Sequence, residues 1–238
     1  MVWLELVENI GDVIMNKNLL IIGAGCCGLA ARETAQAMGC FENIAFLDDN
    51  IKEMPDGSKI LGVVDDFENF VSEYSNVFVA IANPEIKLNL LEKIKETTPY
   101  KIATLVSPRA YISPTAQIMQ GSLVEAMATI NTGSVIATGC IIGAGSVVNH
   151  CSMCCDGVHL ECNATVADNT LVPAGTFIDS GVVYKRDTIN VNDLFFDAEK
   201  WHNSLENLKK PHGPVPINGR EYCFEDGMWG LGQCIKHL

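Results

Sequence analysis

The sequence has few basic residues and no long uninterrupted apolar segment. It contains 16 lysines and arginines against 29 aspartates and glutamates, which gives a formal net charge of −13. Binding to nucleic acid phosphates requires clustered lysine and arginine, so this balance argues against a nucleic acid partner. The longest apolar stretch, LLIIGAGCCGLAA, is too short and too glycine-rich to span a bilayer, and we expect no membrane association.

The first residues, MVWLELVENIGDVIMNKN, lack the basic region of a secretory signal. We therefore expect a cytoplasmic protein whose 10 cysteines are reduced thiols. Hydrophobic residues form 48% of the 238 positions, and the mean hydropathy is +0.18. These values indicate a folded chain with one large domain or two modest ones.

The segment NLLIIGAGCCGLAARETAQAMG predicts an apolar strand, a glycine turn and a helix. Gly23, Gly25 and Gly28 fit the pattern G-x-G-x-x-G. The first two glycines let the backbone turn tightly near a phosphate, and the third lets the helix pack closely on the strand. The pattern favours a nucleotide phosphate at the helix N-terminus, although a tight turn without a ligand would have the same sequence.

Strand and helix patterns alternate through the first half of the chain. Further strands are predicted at NIAFLDD, KILGVV, NVFVAIA and KIATLV, with a helix over Pro84–Thr97. This alternation predicts a small parallel sheet with flanking helices. Asp48 and Asp49 end the second strand, where a ribose-binding acid of a dinucleotide fold would lie. With only about 85 residues available, a nucleotide-sugar or mononucleotide suits this domain better than NAD.

The second half of the chain repeats with a strict period of six. Thirteen apolar residues occupy one position of the repeat: Ile112, Ile118, Val124, Ile130, Ile136, Ile142, Val148, Cys154, Leu160, Val166, Val172, Ile178 and Tyr184. Glycine or asparagine, which tolerate a positive φ, recur three positions later: Gly121, Gly133, Gly139, Gly145, Gly157, Asn163, Asn169, Gly175 and Gly181. The pattern predicts a triangular solenoid of about four coils over residues 112–184, with three short strands in each coil.

Together, these segments resemble one known family. IIGAGCCG, IAFLDD, VAIANPEIK, LVSPRAYISPTAQI and SVVNHCSMCCDGVHLECNA occur in the order typical of hexapeptide-repeat sugar O- and N-acyltransferases of the sialic-acid and bacillosamine type. The resemblance implies an α/β Rossmann-like nucleotide-sugar-binding domain and then a left-handed parallel β-helix with acyltransferase activity. The expected parts are an N-terminal extension (1–18), the Rossmann-like domain (19–105), the β-helix (106–186) and a C-terminal helix and tail (187–238).

The same resemblance implies transfer of an acyl group, most simply acetyl from acetyl-CoA, to an amino or hydroxyl group of a nucleotide-activated sugar. It places His150 as the general base and His159 near the acyl group, as a donor to the thioester oxygen. Relatives form the active site between adjacent β-helices, so the expected assembly is a homotrimer. The implied nucleotide-sugar-binding residues are Gly23, Gly25, Gly28, Asp48, Asp49, Asn83 and Lys87.

The chain departs from the family pattern at three places. Cys151 follows His150 where the family has an acid, and Cys26-Cys27 replaces the family's Gly-His. The repeat also ends about two coils early, without the closing loop that helps to hold CoA in relatives. These departures leave open a second hypothesis, a catalytically altered member that binds a nucleotide-sugar as a subunit or regulator. A nicotinamide enzyme is a third and weaker interpretation of the glycine turn.

The cysteines and histidines of residues 150–162 raise the question of a metal site. Cys151 and Cys154 have C-x-x-C spacing, but Cys154 occupies an inward position of the repeat, where it counts as a small hydrophobe. We therefore expect no bound metal. In the tail, Leu194, Ala198, Trp201, Leu205 and Leu208 lie on one face of a predicted helix, and PINGRE is compatible with a tight hairpin.

Overall fold

The computed structural model describes residues 17–54, 56–185, 215–217, 220–225 and 228–231, the last three segments as backbone only. The N-terminal part is a five-stranded parallel sheet in the order β3-β2-β1-β4-β5. Its strands are β1 (Leu19–Ile22), β2 (Ile44–Leu47), β3 (Ile60–Gly62), β4 (Asn76–Val79) and β5 (Lys101–Ile102). Its helices are α1 (Cys26–Met38) and α2 (Pro84–Thr97), with a 3₁₀ helix at Val64–Phe70.

This order confirms the predicted Rossmann-like start. β1 lies in the centre of the sheet, between β2 and β4, and is completely buried. From β1 the chain adds strands first on one side, as β2 and β3, and then on the other, as β4 and β5, so the strand order reverses between β1 and β4. Ligands of open α/β sheets bind at the carboxyl ends of the strands at such a point. The glycine turn after β1 lies there.

One sequence-based assignment needs correction. KIATLV was predicted as a single strand that closes the sheet, but it contains two strands. β5 completes the N-terminal sheet, whereas β6 (Leu105–Val106) pairs with β9 (Leu123–Val124) in the second part of the molecule. The repeat therefore begins one strand earlier than the hexads from Ile112 indicated.

The second part is a parallel β-helix with three sheets. Each strand pairs with the strand one coil on, as Tyr111 pairs with Thr129 and Thr129 with Val147. The remaining strands are β7 (Tyr111–Ile112), β8 (Gln117–Ile118), β10 (Thr129–Ile130), β11 (Val135–Ile136), β12 (Ile141–Ile142), β13 (Val147–Val148), β14 (Met153–Cys154), β15 (His159–Leu160), β16 (Thr165–Val166), β17 (Leu171–Val172), β18 (Phe177–Ile178) and β19 (Val183–Tyr184).

The predicted inward positions form the core of this β-helix. Twelve of the thirteen apolar residues are buried in one cluster, and Tyr184 packs against it. All nine predicted glycine and asparagine corners have positive φ values, as expected for the left-handed region. Met127 and Cys151 occupy the same corner position with φ values of 64° and 53°, which is unfavourable for their side chains.

Helix α2 joins the two parts by lying along one corner of the β-helix. Leu91 and Leu88 approach the corner glycines so closely that an added Cβ at Gly139 would lie 3.2 Å and 3.3 Å from their methyl carbons. The other helix of the N-terminal part also contacts the β-helix, because α1 packs in one cluster with Leu123 and Ile141. The β-helix sheet formed by β6, β9, β12, β15 and β18 therefore faces the N-terminal domain.

Near the C-terminus, β20 (Val215–Ile217), β21 (Arg220–Glu225) and β22 (Met228–Leu231) form an antiparallel sheet. Ile217 pairs with Arg220, which confirms the hairpin predicted at PINGRE. The helix predicted from Leu194 to Leu208 lies outside the described residues. In the described part of the chain, no helix has the length and hydrophobicity needed to cross a membrane.

Candidate active site

The glycines of the loop after β1 differ in role: some are required by packing, and one faces open space. A Cβ at Gly28 would overlap the carbonyl oxygen of Gly23, and one at Gly23 would lie 2.9 Å from the carbonyl oxygen of Ala80. Gly23 also has a φ of +103°. Among the described residues, a Cβ at Gly25 would meet nothing within 4 Å. Gly23 and Gly28 are therefore required by packing and conformation, and Gly25 is the glycine that faces open space.

The N-terminus of α1 adjoins this open space. Its N-cap is Gly25, its first turn contains no acidic residue, and no side chain of the described residues caps it. The first amide groups of a helix have no partner within the helix, and together with the helix dipole they favour an anion. The loop thus has the backbone groups that a phosphate needs.

Asp48 supports the glycine loop. Its Oδ2 accepts a hydrogen bond of 2.8 Å from the backbone N–H of Ala24, and its Oδ1 accepts from Asn50 and Ile51. Partial burial tends to raise the pKa of Asp48, but these hydrogen bonds outweigh it and the pKa is lowered. Asp49 is exposed and accepts a hydrogen bond from the Val64 N–H.

Asn83 and Lys87 lie on the first turns of α2. The Asn83 side chain caps the helix by accepting a hydrogen bond of 3.1 Å from the Ile86 N–H. Lys87 is fully buried, and its Nζ has no hydrogen-bond partner among the described residues. Burial lowers the pKa of Lys87, partly opposed by the Cys140 and Cys27 thiols.

His159 lies on the β-helix sheet that faces the N-terminal domain, one coil beyond Ile141. It is 7% exposed, and its ring packs edge-on against Phe177 with centroids 4.8 Å apart. Its Nε2 lies 3.3 Å from Oε1 of Glu161, while its Nδ1 is buried without a hydrogen-bond partner in the described structure. Burial lowers the pKa of His159; Glu161 opposes this change and Lys87 adds to it.

His150 lies in a different part of the β-helix. It is exposed at the corner after β13, directly before the positive-φ residue Cys151, and its carbonyl oxygen accepts a hydrogen bond from Asn169. The structure does not bring His150 and His159 to the same side of the triangular cross-section of one chain. It does bring the α2 and α1 residues Lys87 and Cys27 within electrostatic reach of each other, and Lys87 within reach of His159.

Two acidic residues near this site were not identified from the sequence. Glu161 contacts His159, and Glu125, two coils earlier in the same corner, accepts a hydrogen bond of 3.1 Å from the Ala144 N–H. Burial raises the pKa of Glu125. The hydrogen bond from Ala144 opposes this rise, and the nearby charges of Glu161 and Glu33 add to it. The signal that could have revealed them is their common position in the repeat, which stacks acids along one corner.

Metal ligation was a further question for the cysteines and histidines of this region. Across the described part of the chain, no three histidine, cysteine or acidic side chains converge as a metal site. Cys140 and Cys154 are buried in the β-helix core, where burial raises the pKa of both thiols, that of Cys140 to about 12.

Comparison with known proteins relates both parts of the molecule to sugar acetyltransferases. The family model of the PglD N-terminal domain matches residues 18–94. The acetyltransferase domain of PglB from Neisseria gonorrhoeae is 31% identical, with 72% of this chain and 83% of that chain covered and a TM-score of 0.67. No curated protein matched the sequence.

The chain belongs to the hexapeptide-repeat sugar acyltransferase family. The family fold, a Rossmann-like domain followed by a left-handed parallel β-helix, is the fold described above. The same PglB domain in complex with acetyl coenzyme A is 30% identical, with 72% and 83% coverage and a TM-score of 0.68. The GDP-perosamine N-acetyltransferase from Caulobacter crescentus, a mutant in complex with CoA and GDP-perosamine, shares the fold at 22% identity, a TM-score of 0.61, and coverage of 73% and 91%.

Proposed function

We propose that this protein transfers an acetyl group from acetyl-CoA to the amino group of a nucleotide-activated sugar. The observation that carries the proposal is that two parts of a site lie next to each other. One is the open, uncapped glycine loop, and the other is the β-helix sheet that bears His159, with buried Lys87 between them. A relative of 30% identity is an acetyltransferase domain that binds acetyl coenzyme A, which supports the choice of donor.

The residues fall into two groups by position. The N-terminal domain, ending before β6, would bind the nucleotide-sugar through the Gly25 loop and the start of α1, with Asp48 holding that loop in place. The proposed substrate-binding set keeps the predicted residues Gly23, Gly25, Gly28, Asp48, Asp49, Asn83 and Lys87, with Gly23, Gly28 and Asp48 shaping the loop rather than facing the ligand. The β-helix would bind acetyl-CoA and supply two histidines, with His150 as the general base and His159 near the acyl group.

The assembly is proposed to be a homotrimer in the cytoplasm. His150 and His159 lie on different sides of one β-helix, so a site that uses both requires a neighbouring copy. Ring closure by three copies satisfies such a head-to-tail contact.

The test measures acetyl transfer from acetyl-CoA to a panel of nucleotide-linked amino sugars that includes GDP-perosamine. The release of the CoA thiol reports the reaction. Acetylation of at least one member is expected, together with a rise in melting temperature on addition of acetyl-CoA. No turnover and no stabilisation by acetyl-CoA would contradict the proposal.

A second candidate is a catalytically altered member that binds the nucleotide-sugar without transferring an acyl group. The observation that favours it is that Cys151, a non-glycine residue with positive φ, directly follows the exposed His150, so the position next to this histidine carries no acid. This candidate predicts stabilisation by a nucleotide-sugar but none by acetyl-CoA.

A further inference from the structure

The corner after β13 brings His150 next to the corner of the following coil. One coil is 18 residues long, because Val148 pairs with Val166. His150 therefore occupies the same position in its coil as Asp168, and the Asn169 N–H donates a hydrogen bond of 3.1 Å to the His150 carbonyl oxygen. Adjacent strands lie about 4.8 Å apart. The side chains of His150 and Asp168 thus leave neighbouring coils at equivalent points, and both are exposed.

Asp168 is the acid that the surroundings of His150 offer. The equivalent position in the preceding coil is Thr132, and the next residue along the chain is Cys151. The Cys151 thiol is turned toward the preceding coil, because a Cβ at Gly133 would lie 3.5 Å from its Sγ. Across the stacked corners after β7, β10, β13 and β16, Asp168 is the one carboxylate among the described residues.

The corner itself holds the Asp168 carboxylate through one of its two oxygens. Oδ2 accepts a hydrogen bond of 3.1 Å from Nδ2 of Asn169. Within residues 17–54 and 56–185, neither Asp168 nor His150 forms an ion pair. Oδ1 of Asp168 is therefore available to a donor from the neighbouring coil, and the exposed imidazole of His150 is the side chain placed to supply it.

The chemistry of a base explains why such a partner matters. A histidine that takes a proton works best when a third group orients its ring and fixes its tautomer. A carboxylate does both and also stabilises the imidazolium that forms. A thiol sulfur is only a weak hydrogen-bond acceptor, so Cys151 is a poor partner for His150.

We propose that Asp168, one coil beyond His150, is the positioning residue of this base. The inference deepens the proposed function and rests on it. His150 takes a proton from the acceptor amine as the amine attacks the thioester carbonyl carbon. The C–S bond then breaks, an amide forms, and the imidazolium gives the proton to the departing CoA thiolate. Asp168 accepts a hydrogen bond from the other ring nitrogen throughout.

The experiment compares the kinetics of wild type, His150→Gln, Asp168→Asn and the control Asp179→Asn, an exposed acid at the corner after β18. Asparagine keeps the shape of Asp168 and an oxygen that can accept from Asn169, so the melting temperature should not change. We expect His150→Gln to lose about 10²–10⁴-fold in kcat. Asp168→Asn should lose about 10–100-fold in kcat with KM unchanged for both substrates, and Asp179→Asn should match wild type.

Moving the acid provides a rescue that a merely structural role of Asp168 would not show. Cys151→Asp places a carboxylate directly after His150, and aspartate tolerates the positive φ of this corner. In the Asp168→Asn background this change should recover most of the lost kcat, whereas in wild type it should change kcat little. If the wild type is active and Asp168→Asn equals it, the inference is wrong although the proposed function stands.

A spectroscopic measurement tests the pairing without turnover. The ¹⁵N chemical shifts of a histidine ring report which nitrogen carries the proton, and His150→Gln assigns the signals of His150 among the 5 histidines. These shifts should move in Asp168→Asn and stay in place in Asp179→Asn. Identical His150 shifts in wild type and Asp168→Asn would overturn the inference. An inactive wild type whose shifts do move would instead contradict the proposed function and leave the pairing established.

Discussion

At the scale of single residues, Lys87 shows how a site can oppose stability. Its amine is fully buried and has no hydrogen-bond partner among the described residues, and protein mutational data place the cost of such a group at about 1–3 kcal/mol. Methionine fills a similar volume without the polar head. The natural residue is therefore better explained by a ligand that reaches it than by the folded state alone.

Lys87→Met should accordingly raise the free energy of unfolding at pH 7 by about 1–3 kcal/mol and weaken catalysis. The folded-state pKa of Lys87 is lowered, so the penalty is present below the ordinary lysine pKa. The stability difference should thus shrink as the pH rises toward about 10.4. Urea unfolding at several pH values measures it, with exposed Lys95→Met as control; equal effects of the two variants would contradict the prediction.

The glycine loop offers a matched pair of substitutions. Gly28→Ala should destabilise the protein strongly, because its Cβ would overlap the Gly23 carbonyl. Gly25→Ala should change the free energy of unfolding by less than about 1 kcal/mol, since its Cβ meets open space and its φ of −71° suits alanine. It should instead weaken nucleotide-sugar binding, measured by calorimetry. Unchanged affinity in a folded Gly25→Ala protein would argue against the phosphate site.

The sequence could identify some of these residues and not others. The glycine spacing located the loop, but only the structure separates Gly25 from Gly28. Glu161 carries no motif, because its contact with His159 depends on the corner geometry of the coil rather than on a spacing typical of active sites. Lys87 was predicted as a binding residue, but its burial follows from the docking of α2 on the β-helix, a long-range contact that periodicity cannot reveal.

At the scale of elements, the corner glycines have two separate reasons to be glycine. Gly139 and Gly181 share nearly the same φ, 68° and 70°. A Cβ at Gly139 would press on Leu91 and Leu88 of α2, whereas one at Gly181 would meet nothing within 4 Å in the described part of the chain. The corner conformation is thus common to both, and the contact with the helix is present at only one.

Alanine at Gly181 should cost about 1–2 kcal/mol, the penalty of a left-handed conformation. Alanine at Gly139 should cost that amount and about 1–3 kcal/mol more, because α2 must move away from the corner. Chemical denaturation of the two variants gives the comparison. Equal costs would mean that α2 does not rest on this corner.

The elements themselves were largely predictable, because both parts of the chain have strong periodicities. The period of six located the β-helix strands from Ile112 onward, and the glycine turn located β1 and α1. The error at KIATLV has a physical cause. β5 and β6 are two residues each and nearly contiguous, so their apolar pattern is continuous although they belong to different sheets.

At the scale of the whole molecule, one face of the β-helix carries exposed apolar side chains. Tyr111 and Val183 point outward from the sheet that begins with β7, with 56% and 66% of each exposed, and Met127 in the adjoining corner is 70% exposed. This sheet is distinct from the one that packs against the N-terminal domain. Tyr111 and Val183 lie on the two edge strands of this sheet, β7 and β19, and exposed apolar side chains on one regular face are typical of a protein interface.

The proposed trimer should therefore depend on this face. Wild-type protein should sediment at about three times its chain mass of 25.8 kDa, and Tyr111→Asp should shift it toward monomer, because a buried unpaired carboxylate opposes association. Val63→Asp, at an apolar residue of the N-terminal domain that is 39% exposed, serves as the control and should remain trimeric. Since the site is proposed to lie between copies, Tyr111→Asp should lose acetyl transfer in parallel with the loss of trimer. A wild-type monomer at micromolar concentration, or a monomeric Tyr111→Asp with full activity, would refute the shared site.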